Sequence, residues 1–277
     1  SSKSELQELI DVVTIPETWF FRDNKPFEYF SEYIQRQWLP NKFKRRLQVL
    51  SVPCATGEEA YSIAIMLHSI GLSTTDFEID AIDVSRSAIE KAITGIYSKS
   101  SLRATDQEII NGYFTPEGNQ YRLHDWIKTP VNFTIGNALN LRNSCHYSRY
   151  DVIFCRNLFI YFDKNRQRNV VKQIAKLLCK NGLFFVGHAE TGVAVNQYFK
   201  AIGIPSAFVF SKRLASNELT LNDRELFNTH EVVATKTNEE EQKTEQATLS
   251  ARYAKVSRNA LKLGNLSVVI VTEIETL

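Results

Sequence analysis

A strand–turn–helix unit that recurs along most of this chain narrows its fold more than any other feature. Short apolar runs suited to buried strands stand at 47–52, 77–82, 132–135, 150–155, 183–187 and 207–211. Between them lie segments whose apolar residues fall at helical spacing: 59–70 with Gly71 at its end, 85–93 with Ser85 as N-cap, and 163–179 with Asp163 as N-cap. Asn181-Gly182 reads as a turn before the fifth strand, and a short helix is expected at 195–201. Strands that alternate with helices build a mostly parallel sheet covered on both faces, because each parallel crossover needs a helix's length of chain. The last connection is too short for such a crossover, so the final strand is expected to run antiparallel. The fold class read from the pattern is α/β, doubly wound and Rossmann-like, and 277 residues suffice for one such domain and a short extra segment.

Around this domain the pattern changes. Residues 5–13 form an amphipathic helix through Leu6, Leu9, Ile10 and Val13, closed by Pro16. A second, at 24–38, gathers Phe27, Phe30, Tyr33, Ile34 and Trp38 on one side. The stretch 112–130 has Pro116, Gly118 and Trp126 but no helical period, and reads as a small β insertion or a long loop. The division expected is an N-terminal helix at 1–13, the α/β domain at 14–214 with its insertion at 113–130, a polar linker at 215–249 and a helical segment at 250–277 split near Gly264-Asn265.

Composition serves mainly to exclude. Lys+Arg number 33 against 31 Asp+Glu, a net charge of +2, which makes no electrostatic case for a dedicated nucleic-acid or membrane-surface binder. The best local basic patch, Lys42, Lys44, Arg45 and Arg46, is read as a solvated helix end. Cys54, Cys145, Cys155 and Cys179 form no CxxC pair and have no His at metal-ligand spacing, so no metal is expected. Cys54 and Cys155 read as buried hydrophobes in a reducing compartment. No signal peptide or membrane-length apolar run is visible, which places the protein in the cytoplasm without membrane insertion. No heptad stripe argues for an oligomer, so a monomer is expected.

In an open α/β sheet, ligands bind beyond the carboxyl ends of the strands. Four stretches there carry chemistry. Val52-Pro53-Cys54-Ala55-Thr56-Gly57-Glu58-Glu59 is a glycine turn followed by acids. Gly57 either lets a cofactor approach the backbone or simply starts a helix whose macrodipole favours the acids. The turn is neither GxGxxG nor a phosphate loop, and its acids would repel phosphate. Asp83 stands near the spacing at which an acid accepts ribose hydroxyls in nucleoside folds; the alternative is a helix cap beside Ser85. An acidic glycine turn with a ribose acid suits a nucleoside that carries an amino acid, and S-adenosylmethionine fits that description. Cys155-Arg156-Asn157-Leu158-Phe159-Ile160-Tyr161-Phe162 overhangs the same edge and offers Asn157 and the Tyr161 hydroxyl, or is plain core. It lacks the Pro-Pro-aromatic motif of amino-group nucleic-acid methylases. Glu17-Thr18-Trp19-Phe20-Phe21-Arg22-Asp23 is too aromatic for a free loop. Arg22 is then either a rigid carboxylate clamp or the partner of an acid such as Asp23. His188, after the fifth strand, is read as structural.

Together these strings resemble the chemotaxis receptor glutamate methyltransferases, the CheR family. The matching segments are ETWFFRD (17–23), CATGEEAYSIA (54–64), the AIDVS region (81–85), DVIFCRNLFIYFDK (151–164) and NGLFFVGHAE (181–190), in the family's order over about 14–212. The resemblance implies methyl transfer from S-adenosylmethionine to receptor glutamates, with S-adenosylhomocysteine as product and a methyl-accepting chemoreceptor or related signalling protein as partner. It implies that Thr18 and Arg22 contact the cofactor, with Arg22 also catalytic, and that Ala55 and Gly57 line the glycine turn. Glu59 is then the methionine-end acid, Asp83 the ribose acid, Asn137 and Ala138 the adenine-side loop, Arg156 and Asn157 the contacts after the 150–155 strand, and Tyr161 the tyrosine beside the methyl group.

The chain also departs from the family pattern. Pro16 replaces an Asn cofactor contact, Ala60 replaces a proline, and the family's separate N-terminal domain is largely missing from what precedes the first motif. The insertion lacks the Gly-x-Gly of members that grip a receptor's tail peptide, and 251–277 resembles the start of a tetratricopeptide repeat, or an isolated helix pair. Other readings compatible with the residues are a different carboxylic acceptor and a cofactor-binding module without catalysis; retention of both Arg22 and Tyr161 argues against the second.

Overall fold

The computed structural model describes residues 3–14, 17–40, 45–146, 149–194 and 197–213. The expected linker at 215–249, the segment at 250–277, Pro16, Lys42 and Lys44 lie outside the described residues.

In chain order the elements are α1 (Lys3–Val13), α2 (Lys25–Tyr33), which runs on as a π-helical turn Ile34–Trp38, then β1 (Leu47–Ser51), α3 (Glu58–Ser69), β2 (Phe77–Asp83) and α4 (Arg86–Thr94). An excursion follows: β3 (Ile96–Ser98), α5 (Gln107–Tyr113), β4 (Phe114–Glu117), β5 (Gln120–Leu123) and α6 (Asp125–Lys128). The main sheet resumes with β6 (Val131–Ile135), β7 (Tyr150–Cys155), α7 (Lys164–Leu177), β8 (Leu178–Val186), α8 (Thr191–Ala194), β9 (Phe199–Ala201) and β10 (Val209–Lys212). Local chemistry sets the helix ends. The Ser85 hydroxyl accepts from the Ala88 N–H at α4, and the Asp163 carboxylate accepts from the Asn165 and Arg166 N–H groups at α7.

The seven main strands lie in the order β6-β2-β1-β7-β8-β10-β9. The first five are parallel; β10 runs antiparallel to β8 and β9 antiparallel to β10. The chain thus winds outward from β1 through β2 to β6, then returns to the other side of β1 at β7. That reversal makes a topological switch point between β1 and β7, where open α/β sheets leave a crevice for ligands. Alternation along the strands feeds two cores. Val49, Val152 and Phe154 face α2 and α3, while Leu50, Ile153 and Cys155 face α7.

Two expectations are corrected. Asn181-Gly182 is not a turn: both residues lie inside the continuous strand β8, with an irregular register between Tyr150 and Val152 of β7. Only Lys180 and Asn181 of the early part of β8 are exposed, while Leu178 and Gly182 are buried, so polar residues beside a glycine mimic a turn there. The helix expected at 195–201 is also corrected: Phe199–Ala201 is strand β9, and residues 195–196 lie outside the described residues. Phe199 is buried, with its ring 4.8 Å from that of Phe184 in β8, a contact that periodicity over so few residues cannot reveal.

The excursion β3-β5-β4 is an antiparallel three-stranded sheet. It is tied to the site by Phe20, whose ring meets Tyr97 edge-on at 4.8 Å and Phe114 at 5.1 Å. The Trp-Phe-Phe segment is therefore anchored, with Phe20 and Phe21 buried.

Candidate active site

The turn after β1 owes its shape to Gly57, which sits at φ +93° before α3. A Cβ there would lie 2.9 Å from Ala92 Cβ, 3.0 Å from Tyr97 Oη and 3.2 Å from Phe133 Cζ. The glycine is thus required by the turn and by the elements pressed against it. Its N–H donates to Cys54 O and its carbonyl accepts from Tyr61 N–H, so both backbone groups serve the turn itself.

Asp83, buried at the end of β2, reaches across to this turn. Its carboxylate accepts from the Ala55 N–H at 2.8 Å and from the Ser85 N–H at 2.9 Å. Burial pushes its pKa up, and the N–H groups of Ser85, Ala55 and Val84 pull it back. The capping of α4 belongs to Ser85, so Asp83 is left as a strand-end acid. After β6, the Asn137 side-chain oxygen accepts from Leu139 N–H and starts a 3-10 turn in which Ala138 is buried.

Glu59 and Arg156 bring the ends of β1 and β7 together. Glu59 accepts from the Ser51 hydroxyl at 2.7 Å and from Arg156 Nη1 at 3.2 Å. Burial raises its pKa, opposed by Arg156, Ser51 and the charge of Arg22. The other Arg156 nitrogen, Nη2, donates to Arg22 O at 3.0 Å and to the Asp23 carboxylate at 2.6 Å. Asp23 therefore pairs with Arg156, and Arg22 is free of the partner that the sequence offered it. Arg22 Nη1 donates to Glu17 O at 2.6 Å, and its guanidinium carbon stands 4.6 Å from the Trp19 ring centroid. Thr18 is partly buried on the same segment.

Sequence reasoning missed Glu190. It is buried, and its carboxylate accepts from Asn157 N–H at 2.8 Å, Phe159 N–H at 2.7 Å and Gly187 N–H at 2.8 Å. It thereby shapes the segment after β7, where Asn157 takes φ +59°. A Cβ on Gly187 would meet its Oε2 at 2.7 Å. The signal was an acid just beyond β8; His188, read as structural, packs its ring on Phe208 at 5.0 Å. Tyr161, 70% exposed, follows on the turn Phe159–Tyr161, whose Phe159 is buried in the core.

These groups fit an amino-acid-bearing nucleoside. Arg156 is 2% exposed in its side chain, yet its Nε–H has no acceptor, an orphan donor suited to a carboxylate. Glu59 suits an ammonium group. Asp83 retains part of a carboxylate's acceptor capacity for a hydroxyl.

Residues 16–208 match the family model described as CheR methyltransferase, SAM binding domain. The chain belongs to the CheR methyltransferase family. A "probable biofilm formation methyltransferase WspC" of Pseudomonas aeruginosa is 38% identical over 211 residues, covering 76% of this chain and 50% of that protein. "Chemotaxis protein methyltransferase 2" of Vibrio cholerae is 35% identical and covers 72% and 70%. A "chemotaxis protein methyltransferase" of Salmonella typhimurium is 32% identical and covers 68% and 65%. The chain spans about half the length of the WspC relatives. The matched model is that of a domain that binds S-adenosylmethionine, which is the cofactor. Among the described residues no helix is long and apolar enough to cross a membrane.

Proposed function

We propose that this chain methylates glutamate side chains of a chemoreceptor-type signalling protein, as a cytoplasmic monomer. The observation that carries the reading is Arg156: one buried guanidinium grips Glu59 on one side and the Arg22 turn on the other. A cofactor end and a substrate end are thereby held in one frame. Thr18, Arg22, Ala55, Gly57, Glu59, Asp83, Asn137, Ala138, Arg156 and Asn157 would hold S-adenosylmethionine, which supplies an electrophilic methyl group when bound.

The chain's own residues have a limited task. A glutamate of ordinary pKa, about 4.3, is already ionised at neutral pH, so no general base is needed. What remains is alignment and partial exclusion of water, which otherwise blunts the carboxylate. Arg22, with no carboxylate within ion-pair distance among the described residues, orients one substrate oxygen and leaves the other free. Tyr161, exposed on the turn after β7, presents its hydroxyl to the same substrate group.

The test is transfer of labelled methyl from S-adenosylmethionine to cytoplasmic receptor fragments, read as label released by mild alkali. Alkali-labile label is expected, with Arg22→Ala cutting turnover more than cofactor affinity. Absence of label despite measurable cofactor binding would refute the reading; equal losses of both in Arg22→Ala would make Arg22 a binding residue only. Relatives named for chemotaxis and for biofilm formation make receptors of both settings the acceptors to try.

A further inference from the structure

The turn that carries Arg22 has an unfavourable backbone. Phe21 lies at φ +55° and Asp23 at φ +53°, so Arg22 sits between two left-handed residues, neither of them glycine. A bulky side chain such as Phe21 rarely takes that conformation, which persists only where surroundings over-determine it, whereas an aspartate tolerates it. On the Phe21 side the restraint is plain. Phe20 and Phe21 are buried, Phe20 N–H donates to Ser101 O at 2.9 Å, and Phe21 N–H donates to the buried Ser62 hydroxyl at 2.9 Å. On the Asp23 side the chain is open to solvent, with the Asp23 side chain 43% exposed. There the anchor is Arg156, which binds both Arg22 O and the Asp23 carboxylate.

This is unlike an ordinary surface ion pair, which contributes little. The guanidinium partner is 2% exposed and cannot move to water when the pair breaks. Arg156 is itself fixed by Glu59, which Ser51 holds in turn. A chain of contacts thus runs from β1 through Glu59 and Arg156 to Asp23.

We infer that Asp23 is a positioning residue: through Arg156 its carboxylate closes the strained Arg22 turn and aims the Arg22 guanidinium. The inference rests on the methyl-transfer reading for its kinetic consequence, but its structural consequence stands without it. Arg22 lies over Trp19, so a turn that opens changes the surroundings of that indole.

The experiment uses the full chain labelled with 5-fluorotryptophan. It has three tryptophans, Trp19, Trp38 and Trp126, and Trp19→Phe assigns the first resonance. In Asp23→Ala the Trp19 resonance should move or broaden while the other two stay in place. Asp23→Asn keeps an acceptor oxygen and tolerates the left-handed region, so it should lie between Asp23→Ala and the parent. In the methyl-transfer assay Asp23→Ala should lower kcat by about tenfold or more, since small misplacements of a positioning group cost that much. Affinity for S-adenosylhomocysteine should fall by a smaller factor than kcat does. An unmoved Trp19 resonance, a joint shift of all three, or kcat retained in Asp23→Ala would each overturn the proposal. If the parent itself transfers no methyl group, it is the methyl-transfer reading that fails, and the Trp19 resonance still decides for or against Asp23.

Discussion

At the scale of single residues, Glu59 carries the sharpest consequence. Burial holds its carboxyl above the usual value, with Arg156 and Ser51 opposing. Binding an ammonium group needs the ionised form. Cofactor affinity should therefore be complete well above that pKa and fall as pH drops through it, by up to about tenfold per pH unit. For the fold alone the sign reverses. A raised native pKa means the proton is held more tightly folded than unfolded, so this group's stabilisation is present at low pH and lost as pH rises through the native pKa. Calorimetric titration with S-adenosylhomocysteine across mildly acidic to neutral pH checks the first effect. Glu59→Gln should flatten the profile, and a profile unchanged by that substitution would exclude Glu59 as the ammonium partner. Of the residues that matter here, Asp83 and Glu59 were readable from position after a strand and a glycine turn. Asp23's choice of Arg156 over its neighbour Arg22 was not, because it depends on β7 lying beside β1.

At the scale of elements, the loops after β7 and β8 are joined by one side chain. Glu190 takes N–H groups from Gly187 on one loop and from Asn157 and Phe159 on the other. Glu190→Ala leaves several buried donors unpaired and should cost at least about 2 kcal/mol in urea unfolding. It should also weaken cofactor binding, because Asn157 is released from its left-handed conformation. Normal stability with unchanged cofactor affinity would show that the two loops hold themselves. Helices α3, α4 and α7 were legible because caps and periodicity agree with the tertiary fold. Strand β9 and the early part of β8 were not, since short strands draw their identity from their partners.

At the largest scale, the aromatic residues of the opening motifs join Phe154 and Phe185 in the core on one face of the sheet. The Phe154 and Phe185 rings stack at 4.4 Å, and Phe30 meets both edge-on, at 5.5 Å and 6.0 Å. Phe185→Ala should destabilise the fold by about 3–5 kcal/mol, the cost of removing a buried aromatic side chain. Loss should appear as a single cooperative transition shifted to lower denaturant, with residual activity tracking the folded fraction. A loss below about 1 kcal/mol would mean that this face repacks freely. The same core carries Phe27, stacked on Phe154 at 5.9 Å, so the segment that presents Arg22 is part of the domain and not an appendage.

The α/β class, the order of the motifs and the antiparallel last strand were legible in the amino-acid order, because they follow from periodicity, caps and connection lengths, all local in the chain. Folding alone brought Gly57 against Ala92, Tyr97 and Phe133, joined Glu59 to Asp23 through Arg156, and set Glu190 beneath the Asn157 turn. Those facts are contacts between residues far apart in sequence. They come into being only when the sheet reverses its winding between β1 and β7 and sets the strand ends side by side.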